Sequence, residues 1–149
     1  MDLPKTTGVY RELRKGHEAE LAAFPMFFAF SGDQFKAGLE KLGLKEEDKP
    51  KLFTFVDGGY AKLEDKAAFF AMLDRHMEDL KAAYNADKTG EGFIFDMFAF
   101  ELANHEYIAT GDFEPALIAL GLDADDVNAN PALVAGLELA KEYCRKGAE

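Results

Sequence analysis

The stretch "FIFDMFAFELANHEY", residues 93–107, decides the fold because it combines a dense apolar run with Asp96, Glu101, His105 and Glu106. Its apolar residues cover most of the circumference of a helix, and a helix of that kind is buried. We therefore predict one central helix over residues 93–107. Its polar side chains would hold neighbouring loops, with Asn104 and His105 bonded to the following "YIATGD" turn.

Segments on both sides of this stretch predict further helices. Glu64–Tyr84 carries apolar residues at three- and four-residue steps, and Pro131 opens a final helix that runs to about Arg145. An amphipathic helix fits Thr6–Phe24, capped near its first residues. Ser31 is placed as the N-cap of a short helix that Gly43 ends.

A small β-hairpin is predicted near the middle of the chain. "LFTFV" (52–56) and "YAKL" (60–63) flank Asp57-Gly58-Gly59, a strong turn signal. "KEEDKPK" (45–51) is interpreted as a solvated loop, and "MFFAF" (26–30) fits either a buried strand or a linker. The prediction is a mainly α protein of the α+β class, in which the hairpin packs against the helices of a single globular domain over residues 1–149.

One short pattern occurs twice: "LEKLGLKEED" (39–48) and "LIALGLDADD" (117–126) share Leu-x-x-Leu-Gly-Leu. We interpret each copy as a helix end, a glycine cap and an apolar residue that folds back on the helix.

Composition indicates a folded intracellular protein. The single cysteine, Cys144, excludes an intramolecular disulfide and fits a reducing compartment. The N-terminal residues lack a basic segment followed by an apolar one, and no run reaches the eighteen or so apolar residues of a membrane span. We expect a cytoplasmic protein with no membrane partner.

Charge is uneven along the chain, whose net charge is -11. Residues 1–75 carry 12 Lys and Arg against 13 Asp and Glu, whereas residues 76–149 carry 5 against 15. Between Ala82 and Ala140, Lys88 is the sole Lys or Arg. Such a field repels nucleic acid and favours a cationic partner, so no direct nucleic-acid binding is expected.

Glu101 and His105 are the strongest metal-ligand candidates, because a four-residue spacing places them on one helical face. The zinc motif H-E-x-x-H would need a second histidine at position 109, which is Ala. His76 could complete a site with them if the two helices pack together. A small metal-binding protein or enzyme that uses Glu101, His105 and His76 is therefore kept as an alternative, although we expect no metal and no cofactor.

Other possible catalytic arrangements have the wrong spacing between residues or the wrong residue types. Asp96 and Glu101 lie about 140° apart around a helix, too far to act as one carboxylate pair. Cys144 with His17 is better explained as a small core residue and an unrelated histidine. Loops that begin at Asp87 and Asp126 lack essential calcium ligands, and no nucleotide or hydrolase motif occurs. We expect a protein that is not an enzyme.

Several phrases carry a family resemblance: "PMFFAFSGDQFKAGLEKLGL" (25–44), "VDGGYAKLED" (56–65), "FDMFAFELANHEYIATGD" (95–112) and "ALIALGL" (116–122). Together they resemble a family of small uncharacterised proteins of gut bacteria, often found among phage and mobile-element genes. The resemblance covers about residues 10–126, and "ELANHEY" is its most specific part. It implies an accessory protein that acts on host defence or replication by binding.

The leading hypothesis is a non-enzymatic acidic binding protein of a phage or mobile element, which inhibits a nucleic-acid-handling defence enzyme by protein–protein contact. The partner would carry a basic surface, as a CRISPR effector or a restriction enzyme does. The carboxylates expected to contact it are Glu106, Asp112, Glu114, Asp123, Asp125 and Asp126. A housekeeping interaction module with an apolar partner surface is a further alternative, favoured if the many Phe side chains are exposed.

Overall fold

The computed structural model describes residues 3–147, in which helices predominate. The α-helices in chain order are α1 Val9–Ala23, α2 Gly32–Lys41, α3 Lys66–Ala86, α4 Phe93–Asn104, α5 Tyr107–Thr110, α6 Glu114–Ala119, α7 Ala124–Asn128 and α8 Pro131–Gly147. Ser31 caps α2 as predicted, because its hydroxyl accepts a hydrogen bond from the Gln34 N–H at 3.2 Å. Throughout residues 3–147, no helix combines the length and the apolarity needed to cross a bilayer.

Three strands form one antiparallel sheet: β1 Met26–Phe28, β2 Leu52–Val56 and β3 Gly59–Lys62. Strands β2 and β3 are the predicted hairpin, and Gly58 in its turn has the positive φ, 80°, that glycine adopts without steric cost. β1 pairs with the other edge of β3, which gives the order β1-β3-β2. The first three residues of the "MFFAF" segment are thus a strand, whereas Ala29 and Phe30 connect it to α2.

The prediction of a loop over residues 45–51 is wrong. Glu46–Lys51 forms a 3-10 helix, in which the Asp48 carboxylate accepts a hydrogen bond from the Lys45 N–H at 2.9 Å. A side-chain cap of this kind stabilises a short helix even in a segment composed almost wholly of charged residues.

The chain divides into two compact units, one formed by residues up to His17 and from Met77 onward, the other by Glu18–His76. Among the residues described, the first unit holds one cluster of buried apolar side chains, and the second holds two, built around Phe69 and Phe27. The mainly α, α+β class with a small sheet packed on helices is confirmed. The single domain over residues 1–149 stays a prediction, which one cooperative unfolding transition would support.

Helix α4 is the central helix of the first unit, as predicted. Ile94, Phe95, Met97 and Phe98 are fully buried, and the helix packs against α8 and α6. It does not reach residue 107, however, because Glu106 has a left-handed backbone with φ of 56°. A non-glycine residue rarely adopts this conformation, so the sequence carries no sign that the helix ends at Asn104.

The repeated Leu-x-x-Leu-Gly-Leu pattern has the predicted structure in both copies. At the end of α2, the Leu44 N–H donates to the Leu39 carbonyl at 2.8 Å across Gly43, whose φ is 71°. At the end of α6, the Leu122 N–H donates to the Leu117 carbonyl at 2.9 Å in the same way. Each is a Schellman motif that satisfies the final carbonyls of its helix.

Candidate functional site

The turn before α4 is organised by one carboxylate, that of Asp87. It accepts hydrogen bonds of 3.0–3.2 Å from the N–H groups of Thr89, Gly90, Gly92 and Ile94. Burial alone would raise the pKa of Asp87, but these four donors stabilise the charged form and hold its pKa below the ordinary 3.8. Asp87 therefore caps α4 rather than offering its oxygens to a cation.

The N-terminus of α1 is capped from a distant part of the sequence. Asp96 on α4 is 4% exposed, and its carboxylate accepts hydrogen bonds from the N–H groups of Thr7 and Tyr10, each at 2.9 Å. The Gly8 N–H lies 3.4 Å from the same carboxylate. A negative charge at this helix end satisfies its free N–H groups and complements the helix dipole.

Glu101 is the most deeply buried charged side chain among residues 3–147, with 2% of its surface exposed. Its Oε2 accepts a hydrogen bond from the Tyr10 hydroxyl and lies 3.7 Å from Arg14 Nε. Its Oε1 accepts from Asn104 Nδ2 at 3.2 Å and lies 3.7 Å from His105 Nε2. Both oxygens are thus fully partnered within the first unit, as a buried carboxylate requires.

These contacts change the expected roles of the polar residues of α4. Asn104 was predicted to hold the turn that follows α4, but its amide donates back to Glu101 instead. Asp96 and Glu101, which cannot form a pair, are both bonded to Tyr10, one at its backbone and the other at its hydroxyl. Asp96 and Glu101 therefore secure α1, and Asn104 holds Glu101 rather than the loop that follows.

The metal-site residues are placed in different surroundings. Glu101 and His105 are close, as their spacing predicts, but the Glu101 oxygens also bind Tyr10 and Asn104. His76 belongs to the second unit, where its Nε2 lies 3.2 Å from Glu20 Oε2. Within residues 3–147, no three His, Cys, Asp or Glu side chains are grouped as metal ligands.

Cys144 packs against the apolar core of the first unit. It is partly buried on α8, and this burial raises its pKa, although Arg145 acts in the opposite direction. His17 Nε2 lies 3.2 Å from Asp79 Oδ2. The packing of Cys144 agrees with the prediction of a small core residue, and its lack of a catalytic role stays a prediction.

All six carboxylates of the predicted binding surface are exposed. They lie on or beside the short helices α5, α6 and α7, and are Glu106, Asp112, Glu114, Asp123, Asp125 and Asp126. We refer to this set as the acidic surface. Its role in binding stays a prediction.

Part of the acidic surface also stabilises local structure. Asp123 and Asp126 form a reciprocal capping box at the start of α7, with hydrogen bonds of 2.8 and 3.0 Å. The Asp112 carboxylate accepts from the Glu114 N–H at 3.0 Å. By contrast, the side chains of Glu114 and Asp125 make no hydrogen bond or ion pair to any residue between 3 and 147. These two are the cleanest probes of a binding role.

Large exposed apolar side chains occur in both units, and the exposed phenylalanines belong to the second. In the second unit Phe30 is 77% exposed and Phe28 is 54% exposed, and Val56, Leu63, Phe70 and Leu73 are exposed as well; in the first unit Ile118 is 68% exposed. Phe30 lies against the backbone of Gly58, where any larger residue would collide with its ring. The excess of phenylalanine is thus only partly used in the core.

Comparison with known proteins shows one relationship. The sequence model of DUF7659, a family of unknown function, matches residues 9–143. No curated protein and no solved structure matches the chain. The family match contains the "ELANHEY" phrase. The resemblance noted from the sequence stopped at about residue 126, whereas the family match continues through most of α8. Because it covers most of the sequence, the chain belongs to the DUF7659 family.

Proposed function

We propose that this protein is a non-enzymatic binding protein whose acidic surface contacts a basic surface on another protein. The observation that carries the proposal is the exposure of all six carboxylates on or beside three consecutive short helices, in a region without Lys or Arg between Lys88 and Lys141. A surface whose charges have one sign accelerates the encounter with a partner of opposite charge and repels partners of like charge.

The partner that best fits this chemistry is an enzyme with a channel for DNA or RNA. Such channels are lined by Lys and Arg that neutralise phosphates, and a row of carboxylates competes for the same cations. We propose that the protein comes from a phage or mobile element, acts in the bacterial cytoplasm and inhibits a defence enzyme such as a CRISPR effector or a restriction enzyme. It would need neither a metal nor a cofactor.

Affinity capture tests this function. The tagged protein is incubated with a lysate of a bacterial host at about 0.1 M and about 1 M salt, between which the Debye length falls from about 10 Å to about 3 Å. We expect a nucleic-acid enzyme to be retained at low salt, released at high salt and identified by mass spectrometry. Retention that does not change with salt would contradict a charge-based contact.

Two matched variants connect that result to the acidic surface. The double variant Glu114→Lys/Asp125→Lys reverses two carboxylates that make no local contact, and should abolish retention. Glu46→Lys/Glu47→Lys makes the same change of charge at two exposed positions of the second unit and should leave retention intact. Equal loss of retention in both variants would show that only the net charge of the protein matters, and it would reject the acidic surface as the binding site.

A second candidate function is an interaction module with an apolar partner. The observation that favours it is the exposure of Phe28, Phe30 and Phe70 in the second unit, because large apolar side chains in one region mark binding surfaces. Replacing Phe30 and Phe70 by Ser should abolish retention at both salt concentrations if this function is correct. Unchanged retention would reject it.

A further inference from the structure

Strand β1 is an edge strand whose outer side is not paired. The Ala29 N–H donates to the Gly58 carbonyl at 2.8 Å, and this bond continues the register in which Phe27 faces Tyr60. Hydrogen-bonded pairs alternate along an antiparallel ladder, so Phe27 bonds to β3 while Met26 and Phe28 direct their N–H and C=O groups outward. On that side, these groups meet no partner within residues 3–147.

A groove runs along this free edge. Its floor is Met26–Phe28, one wall is the end of α1 with Leu21 and Ala22, and the other wall is α2 with Ala37 and Gly38. The groove has a volume of about 640 Å³ and lies wholly within the second unit. Most edge strands are protected by charged residues, by proline or by a covering element, whereas the free edge of β1 faces this mainly apolar groove.

The shape and charge of the groove specify its occupant. Three residues of strand span about 10 Å, which matches a short extended segment. Lys41 stands on the α2 wall, and an extended peptide presents alternate side chains to the two walls.

We propose that this groove binds an extended peptide segment of a partner protein, which pairs with β1 as a fourth strand of the sheet. The segment carries small apolar residues in its middle and an acidic side chain facing Lys41. Main-chain hydrogen bonds to Met26 and Phe28 supply affinity, and the walls supply specificity. The lining of this groove belongs to the second unit, whereas the acidic surface belongs to the first.

The test selects phage-displayed random eight-residue peptides on the intact protein and measures each enriched peptide by fluorescence anisotropy. Two substitutions at one position distinguish the contribution of the backbone N–H to peptide binding from that of the side chain. Phe28→Pro removes the outward N–H, a change that an edge strand tolerates, whereas Phe28→Ala removes the ring and keeps the N–H. We expect Phe28→Ala to bind within about threefold of wild type and Phe28→Pro about tenfold more weakly than Phe28→Ala.

Two further readouts keep the proposal falsifiable if Phe28→Pro fails to fold. Ala37→Trp places a large ring in the groove from an exposed helix position and should weaken binding about tenfold. Peptide binding should also slow hydrogen exchange at the Met26 and Phe28 amides of the wild-type protein. Failure to enrich any peptide, equal binding by Phe28→Pro and Phe28→Ala, full binding by Ala37→Trp, or unchanged exchange at both amides would each overturn the proposal.

Discussion

Glu101 and Glu114 belong to the same acidic half of the chain, but their surroundings differ in every respect. Glu101 is 2% exposed and binds Tyr10, Asn104, Arg14 and His105, whereas Glu114 is exposed and its side chain makes no polar contact within the described residues. The net charge of the chain does not show which of these two carboxylates is exposed. Only part of the acidity is available to a partner, and the buried part stabilises the fold.

Removal of the most buried carboxylate should give the largest effect. Glu101→Ala leaves the Tyr10 hydroxyl and the Arg14 guanidinium without their shared acceptor, so we expect it to lower the free energy of unfolding by about 3 kcal/mol. Glu101→Gln keeps an acceptor in place and should lose less. Urea denaturation measures both, and equal losses would show that the hydrogen bonds to Glu101 do not matter.

Asp96 should come next, because it caps a helix through three backbone N–H groups. We expect Asp96→Ala to cost about 2 kcal/mol, since the start of α1 loses its acceptor. Asp96→Asn retains one acceptor oxygen and serves as the control. Hydrogen exchange at Tyr10 should accelerate strongly in the alanine variant only; protection that is the same in both variants would argue against the cap.

Asp87 makes a contribution that depends on pH. Its pKa is lowered in the folded state, so its stabilisation is complete above the unfolded value, near 3.8, and is lost as the pH falls through the lower folded value. The difference in unfolding free energy between wild type and Asp87→Asn should therefore be constant near neutral pH and shrink below about pH 4. A difference that shrinks instead as the pH rises would contradict this assignment.

The capping box at α7 should give the smallest loss among the carboxylates with contacts. Asp123→Ala removes an exposed cap and should cost about 1 kcal/mol, whereas Asp123→Asn should cost a few tenths because asparagine caps nearly as well. Thermal unfolding distinguishes the two variants. This pair also shows whether loss of binding in an Asp123 variant reflects altered structure or altered charge.

Local signals made much of the fold predictable. The spacing of apolar residues predicted α3 and α4, Ser31 and Gly43 marked the ends of α2, and Asp57-Gly58-Gly59 marked the hairpin turn. Each of these features depends on residues within one or two turns of each other. Local physics is sufficient for them.

Long-range contacts were the part that the sequence could not provide. The hydrogen bond between Tyr10 and Asp96 joins residues 86 positions apart, and β1 pairs with β3 across the whole of α2. The break of α4 before Glu106 depends on a left-handed residue that is not glycine. For the candidate site, the polar sequence around the acidic residues predicted that they are exposed. Only the structure shows which of these carboxylates cap helices and which make no contact.

The most direct test of this division is one comparison of unfolding free energies in urea at neutral pH. We expect Glu101→Ala to lose about 3 kcal/mol, and Glu114→Lys/Asp125→Lys to lose at most about 1 kcal/mol, the size of a helix-dipole effect at the starts of α6 and α7. Such a gap would establish that buried carboxylates hold the fold while the acidic surface is free to bind. Equal losses would contradict the account, because the exposed carboxylates would then be structural as well.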